Sequence, residues 1–232
     1  MYTLTDSPLH IIQEVIDNSS DEVLAEYGTK IIFTEYADGS ISVEDDGRGI
    51  PVGLHPQEKT PVVELVFTRL HAGGKFNKKE GGAYSFSGGL HGVGVSVTNA
   101  LSNRLEVTVW RDGLESTIAF ENGFVKEELK SIKSPRPKRA TGTRVRCWPN
   151  PKYFDSPKIP RAQLIRLLRS KAVLLPGCEV IYINEAEDIR QTWKYTGGLK
   201  EYLLDQVSGK SIVTPFEAKG YATEEDEMFP EG

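Results

Sequence analysis

Cysteine is nearly absent: Cys147 and Cys178 are the only two in 232 residues. Two thiols can build neither a zinc site nor a disulfide framework, so the sequence fits a reducing cytoplasm. Long apolar runs are missing as well. None approaches the roughly 20 residues needed to span a bilayer, and no membrane partner is expected. The opening MYTLTDSPLH has no basic segment followed by an apolar one, so it does not read as a signal peptide. Positive charge is the minority: 28 Lys and Arg face 33 Asp and Glu, a net charge of −5. This argues against the chain being, by itself, a main DNA-binding surface. The one basic cluster, Pro135–Arg139 (PRPKR), reads as a solvated loop. With 38% hydrophobic and 26% charged residues, the chain should form a packed globule. Its length suits one large domain, or one domain and a piece of another.

Glycine is not scarce, and it is concentrated. In the stretch Gly73–Gly94, GGKFNKKEGGAYSFSGGLHGVG, eight of twenty-two residues are glycine. It runs directly into VSVTNALS, a helical pattern predicted over Val93–Leu101. Glycine lets the backbone approach a ligand closely. A helix starting near Gly92 would aim unpaired N–H groups back into the loop, which is how proteins hold phosphate chains. The bland alternative is a flexible surface loop. GLHGVG fails the spacing of a dinucleotide fingerprint and has no strand leading into it, and GGKF lacks the frame of a P-loop.

At the N-terminal end, Ser7 and Pro8 suit a helix start, and the pattern predicts a helix to about Tyr27, ending near Gly28. At 100° per residue, Leu9, Ile12, Ile16 and Val23 share one side. His10, Glu14, Asp17, Asn18 and Asp21 share the other, with Glu22 at its edge. The plain reading is a solvated face. Yet the stripe has no Lys or Arg at i,i+4 spacing to pair with its acids, which favours a cation opposite it, such as a metal ion. Glu14 and Asn18 project to one place. An amide oxygen is a donor Mg²⁺ accepts, and a carboxylate can take a proton from water.

Lys30–Tyr36 and Ser40–Glu44 form a hairpin pattern around Asp38-Gly39. The second strand ends in DDGRGIP (Asp45–Pro51), a sharp turn that presents side chains. A carboxylate there could accept a hydrogen bond from an adenine amine, or the turn could be an ordinary acidic one. Thr60–Ala72 reads as a helix. Asp112-Gly113 and Asn122-Gly123 mark two successive hairpins, and Thr141–Trp148 is a further strand with Thr143 and Val145 toward the core. Ser156–Leu175 reads as a core-packing helix whose basic stems face water. Cys178–Asn184 and Ile189–Tyr195 form another hairpin, and Gly197–Val207 a short helix. This order predicts an α+β two-layer sandwich, with helices on one face of a mixed, mostly antiparallel sheet. Residues 1–207 would form one domain. Residues 208–232, ending in an acidic ATEEDEMFPEG, read as a segment leading toward a further domain of a longer polypeptide.

Five stretches in this order, EVIDNSSDE (Glu14–Glu22), DDGRGIP, HAGGKF (His71–Phe76), SGGLHGVG (Ser87–Gly94) and TGT (Thr141–Thr143), resemble the ATPase motifs of the GHKL superfamily. The resemblance covers nearly the whole chain and is nearest to the ATPase subunits of bacterial type II DNA topoisomerases, the B subunits of topoisomerase IV and gyrase. RLHAGGKF and FDSPKIPRAQLIRLLRSKAVLLPG are similar to the topoisomerase IV side.

The resemblance implies the Bergerat fold, ATP and Mg²⁺ as ligands, and ATP hydrolysis that drives DNA strand passage. It implies that Glu14 is the general base, with His10 beside it, and that Asn18 is the Mg²⁺ ligand. Asp45 would accept the adenine amine, with Thr143 and Gly49 beside it. Lys75 and the backbone of Gly89, Leu90, His91, Gly92, Val93 and Gly94 would hold the phosphates, under a lid over Gly73–Ser87. Glu22, Arg48, Pro51 and Arg111 would line the pocket mouth. The implied partners are the A subunit of topoisomerase IV, DNA through the full-length enzyme, a second B subunit, and ATP-competitive inhibitors. Met1 falls where the family's dimerising arm ends, and the family's second domain supplies a lysine to the phosphates. The chain alone is therefore expected to be monomeric and to bind ATP but turn it over poorly. A gyrase B domain, a histidine kinase domain, a chaperone or repair clamp and a non-catalytic module are the alternatives.

Overall fold

The structure is a computed structural model that describes residues 7–69, 94–156 and 158–207. Eight strands form one sheet: β1 (Lys30–Glu35), β2 (Ile41–Asp45), β3 (Ser102–Arg111), β4 (Leu114–Glu121), β5 (Phe124–Lys133), β6 (Gly142–Pro149), β7 (Glu179–Asn184) and β8 (Ile189–Trp193). Their order is β5-β4-β3-β6-β2-β1-β7-β8. Among the described residues only β1 and β7 run parallel; the other neighbours are antiparallel. Among the described residues five α-helices accompany the sheet: α1 (Leu9–Leu24), α2 (Val62–Thr68), α3 (Gly94–Ala100), α4 (Arg161–Leu174) and α5 (Gly198–Val207). The expected mixed, mostly antiparallel sandwich is what forms. Among the described residues no helix is long and apolar enough to cross a membrane. The segment 208–232, the lid and Lys75 lie outside the described residues.

Strand alternation divides the sheet into two faces. Ile31, Phe33, Val43, Leu105, Val107, Val145, Cys147, Val180 and Tyr182 form the core face with Ile12, Ile16, Phe67, Leu164 and Leu168 of the helices. The hairpin turns follow the sequence. Asp112 and Gly113 have φ of 55° and 77°, and Asn122 and Gly123 have 49° and 87°. Positive φ at both central residues matches the twist of the strands they join.

Three helix boundaries depart from expectation. α1 stops at Leu24, not near Tyr27. Glu26, with φ 62°, takes the left-handed cap position usually held by glycine. The N–H groups of Glu26 and Tyr27 donate to the carbonyls of Val23 and Glu22 at 2.9 Å each. α2 is shorter than Thr60–Ala72, since Pro61 precedes it and Arg69 is already extended. α4 begins only after Pro160, whose lack of an N–H suits a helix entrance and not its interior.

The PRPKR loop is not simply solvated. It passes from β5, at the sheet edge, across the ends of β4 and β3 to β6. Arg136 reaches over the open face, with its guanidinium 3.4 Å from the centroid of the Trp110 ring and 2.8 Å from Glu44 Oε1. Trp110, buried under it, donates its indole N–H to Glu115 at 2.7 Å. Arg136→Ala removes a stacked cation and a charge-assisted hydrogen bond together. It should lower unfolding free energy by about 1–2 kcal/mol, read by urea denaturation. Arg136→Lys should recover only part, because a lysine cannot stack and bridge with the same planar group.

Candidate functional site

The site is built where β2 ends. Successive residues of β2 alternate faces, so Ile41, Val43 and Asp45 all point into the core. Hydrophobic burial therefore carries a carboxylate inside with the strand. Asp45 is 8% exposed. Its Oδ1 accepts from the Gly47 N–H at 3.0 Å and the Thr143 N–H at 3.3 Å, and its Oδ2 accepts from the Ser19 hydroxyl at 3.0 Å. Burial pushes the Asp45 carboxyl up to about 6, with the nearby Glu22 charge adding to the rise. The Gly47 N–H and the Ser19 hydroxyl hold it back. The group is thus mostly ionised at neutral pH, and among the described residues Oδ2 accepts a single hydrogen bond, from Ser19.

Thr143 lies opposite Asp45 in the β2–β6 register. Its Oγ1 accepts from the Ile50 N–H at 3.2 Å, which ties the loop after β2 to β6. Glycine is required around this joint. A Cβ on Gly142 would overlap the Asp45 carbonyl, and one on Gly49, at φ 76°, would come within 2.9 Å of the Trp110 carbonyl. Arg111 donates to the Gly49 carbonyl at 2.9 Å. Pro51, half-buried, follows on the same loop.

Glu22 and Arg48 form a second unit at the rim. The Glu22 carboxylate accepts from the Arg48 backbone N–H at 2.9 Å, from Nε at 3.1 Å and from NH2 at 2.7 Å. The guanidinium lies 3.8 Å from the centroid of the Tyr27 ring. A Cβ on Gly47 would sit 2.8 Å from the Glu22 side chain.

Glu14 and Asn18 are exposed on α1, one turn apart, with His10 a turn earlier. α3 begins against them: a Cβ on Gly94 would overlap the Glu14 carboxylate. Thr98 fixes this approach by donating to the Ile11 carbonyl at 2.7 Å. Asn99 donates to the Phe67 carbonyl at 2.9 Å, joining α2 to the same cluster. Of the expected phosphate-holding residues, Gly94 is therefore beside Glu14, while Lys75, Gly89, Leu90, His91, Gly92 and Val93 lie outside the described residues. Among the described residues no group of three His, Cys, Asp or Glu could cage a metal ion. A lone amide oxygen at Asn18 fits Mg²⁺, which keeps several waters and is commonly held through substrate phosphates.

The acidic stripe needs one correction. Asp17 does have a protein cation: Lys171 of α4 lies 2.6 Å from its Oδ1. Glu22 has Arg48. Only distant segments supply these partners, so i,i+4 counting could not find them. Sequence reasoning also missed Ser19, Tyr27, Gly142 and Asp46. Asp46 accepts from Thr29 N at 2.7 Å, Thr29 Oγ1 at 2.7 Å and Lys30 N at 2.8 Å, anchoring the α1–β1 turn to the loop after β2. The doubled Asp45-Asp46 was the available signal: strand alternation sends one inward and one outward.

The fold and this cluster, a buried strand-end carboxylate and an amide–carboxylate pair beside a glycine-led helix, are those of an ATPase-type α+β domain. The chain belongs to the family described as "Histidine kinase-, DNA gyrase B-, and HSP90-like ATPase", whose profile matches residues 4–152. The B subunit of DNA topoisomerase 4 from Salmonella typhimurium is 51% identical over 90% of this chain and 32% of its own length. The B subunit of DNA gyrase from Haloferax volcanii is 44% identical over 84% of this chain and 30% of its own. The chain thus spans about a third of the length of these relatives. Among solved structures, the topoisomerase IV ATP-binding domain of Francisella tularensis, in complex with a small-molecule inhibitor, superposes with a TM-score of 0.78 at 43% identity. It covers 96% of this chain and 58% of that one. The 43K ATPase domain of Thermus thermophilus gyrase B, in complex with an aminocoumarin, gives 0.76 at 33%, covering 90% and 52%.

Asp45 has a testable energetic signature. Its native pKa lies above its unfolded value of about 3.9, so the native state binds more protons than the unfolded state between the two values. Stability must fall as pH rises through that window and stay lower above it. Asp45→Asn keeps the hydrogen-bonding shape without the buried charge. It should raise thermal stability at pH 8 by roughly 1–3 kcal/mol, with the gain vanishing near pH 4, as followed by calorimetric unfolding.

Proposed function

We propose that this chain is the ATP-binding and ATP-hydrolysing domain of the B subunit of a bacterial type II DNA topoisomerase, topoisomerase IV. The observation that carries the reading is Asp45: a buried carboxylate, mostly ionised at neutral pH, whose Oδ2 accepts a single hydrogen bond among the described residues and so keeps a lone pair for an amine donor. It suits adenine and rejects a base that presents a carbonyl at the same place. Topoisomerase IV is favoured over gyrase by the higher identity to its B subunits. The enzyme would be cytoplasmic. It would work with the topoisomerase IV A subunit and a second B subunit, pass one DNA duplex through another, and be open to ATP-competitive inhibitors.

In this reading Glu14 takes the proton of the water that attacks the terminal phosphate, and His10, one turn away, orients it. Asn18 would hold Mg²⁺, which neutralises phosphate charge when bound. Thr143 and Gly49 shape the adenine end, and Gly94 brings backbone N–H groups close to Glu14 for the phosphates. Lys75 and Gly89–Val93 would complete the phosphate contacts. Glu22, Arg48, Pro51 and Arg111 frame the entrance, and the rigid Glu22–Arg48–Tyr27 unit sets its width.

Calorimetric titration with a non-hydrolysable ATP analogue tests the reading. One saturable site is expected, weakened at least tenfold by Asp45→Asn. Glu14→Gln should leave that affinity nearly intact. In the full-length enzyme it should cut turnover by about 10²–10⁴-fold, the usual share of a general base. Unchanged turnover would assign Glu14 a structural role instead.

A further inference from the structure

One lysine of α4 sits where the helix pattern calls for an apolar residue. Leu164, Leu168 and Leu175 are buried along one side of α4 and its C-terminal cap. At 100° per residue, position 171 points within about 60° of all three. Lys171 fills that position, with its side chain only 22% exposed. The other basic arginines of α4 turn elsewhere. Arg161 pairs with Glu187, Arg166 is exposed, and Arg169 donates to the Tyr195 hydroxyl at 3.1 Å.

The Lys171 ammonium lies 2.6 Å from Asp17 Oδ1 on α1. That oxygen is shut off from solvent and accepts no aligned hydrogen bond, so the contact is charge against charge. α1 leads into β1 and α4 into β7, the parallel pair of the sheet, and Lys171 spans the two units. A half-buried ion pair adds little net stability, because lost hydration offsets the attraction. Its larger effect falls on any charge that binds nearby, where water and salt screen poorly.

Asp17 is next to the residues that the proposed function gives to the phosphate end. It follows Glu14 by three positions and precedes Asn18 by one, and side chains three or four apart on a helix lie about 5–6 Å from each other. Glu14 in turn lies against the start of α3, where a Cβ on Gly94 would overlap its carboxylate. α1 contributes Glu14, Asp17, Asp21 and Glu22 to this stretch and contains no Lys or Arg. Cations reach it from other elements: Arg48 holds Glu22, and Lys171 holds Asp17. A polyphosphate arriving here brings further negative charge, and an unmasked Asp17 would oppose it.

We infer that Lys171 is a positioning residue for phosphate binding: it acts through Asp17, cancelling a carboxylate that would otherwise press its charge on the nucleotide's phosphates from inside the fold. The inference rests on the proposed nucleotide site. It gives Lys171 no contact with the ligand.

Calorimetric titration of the chain with a non-hydrolysable ATP analogue and, separately, with adenosine tests this at one fixed Mg²⁺ concentration. Adenosine shares the base and sugar and lacks the phosphates. Lys171→Met should weaken the analogue about 5–20-fold, the effect of one unit charge on a multiply charged ligand at about 8–10 Å, and leave adenosine within about twofold. Asp17→Asn leaves the lysine charge in place and should tighten the analogue by about threefold or more. It also decides the matter if the uncompensated Asp17 of Lys171→Met prevents folding. The double variant D17N/K171M should return to wild-type affinity. Equal losses for analogue and adenosine in Lys171→Met would make the pair structural and overturn the inference. So would an Asp17→Asn chain that binds the analogue no more tightly than wild type, or a double variant that does not recover. Wild type that binds neither ligand would instead overturn the functional reading, whereas a failure confined to the variants leaves that reading standing.

Discussion

The buried carboxylate of Asp45 is the constraint around which the rest of the site is arranged. It takes one hydrogen bond from α1 through Ser19, one from the loop after β2 through Gly47 and one from β6 through Thr143. Three separate pieces of chain must meet for it to be satisfied. Leaving such a group unpaired in the interior would cost more than any one of these bonds contributes. The requirement for glycine at 142, where the two strands almost touch, follows from the same convergence. Burying such a charge costs the fold energy, so its retention is what the proposed adenine contact would account for.

Much of the fold could be read from local chemistry. The Asp-Gly and Asn-Gly turns, the alternation of β2, β3 and β6, and the core-facing Leu164 and Leu168 of α4 all follow from turn residues and periodicity. Boundaries were harder. α1 ends where Glu26 adopts a conformation that residue identity does not advertise. Glu14, Asn18 and Asp45 could be marked as candidates by spacing and by resemblance, and the structure places Glu14 against Gly94 and buries Asp45. Their supports were not. Lys171 meets Asp17, and Arg136 meets Trp110, across distances in sequence that no periodic pattern encodes. Ser19 looks like any helix serine until the strand end is placed against it.

The two faces of the sheet do different work. The core face carries the helices and, at one end, the proposed nucleotide site. The open face is held by planar cations lying on aromatic rings: Arg136 on Trp110, and Arg146 on Tyr36 at 3.8 Å from its centroid. Acidic partners such as Glu44 and Asp38 complete those stacks. Burial of Trp110 beneath an arginine lets an open face stay polar while covering a large ring.

The single parallel ladder has a consequence for how the protein is made. β1 lies between β2 and β7, and Lys30 pairs beside Glu179. β2 in turn waits for β6. The strands that emerge first from the ribosome are therefore completed only by strands that emerge about 100 residues later for β2 (Asp45 with Thr143) and about 150 later for β1 (Lys30 with Glu179), and such long-range closure slows folding. During synthesis the β1–β2 hairpin, with Ile31, Phe33 and Val43 on one face, has no cover on either edge. The nascent chain must stay soluble through that interval, and the Asp45 pocket can exist only after β6 has arrived.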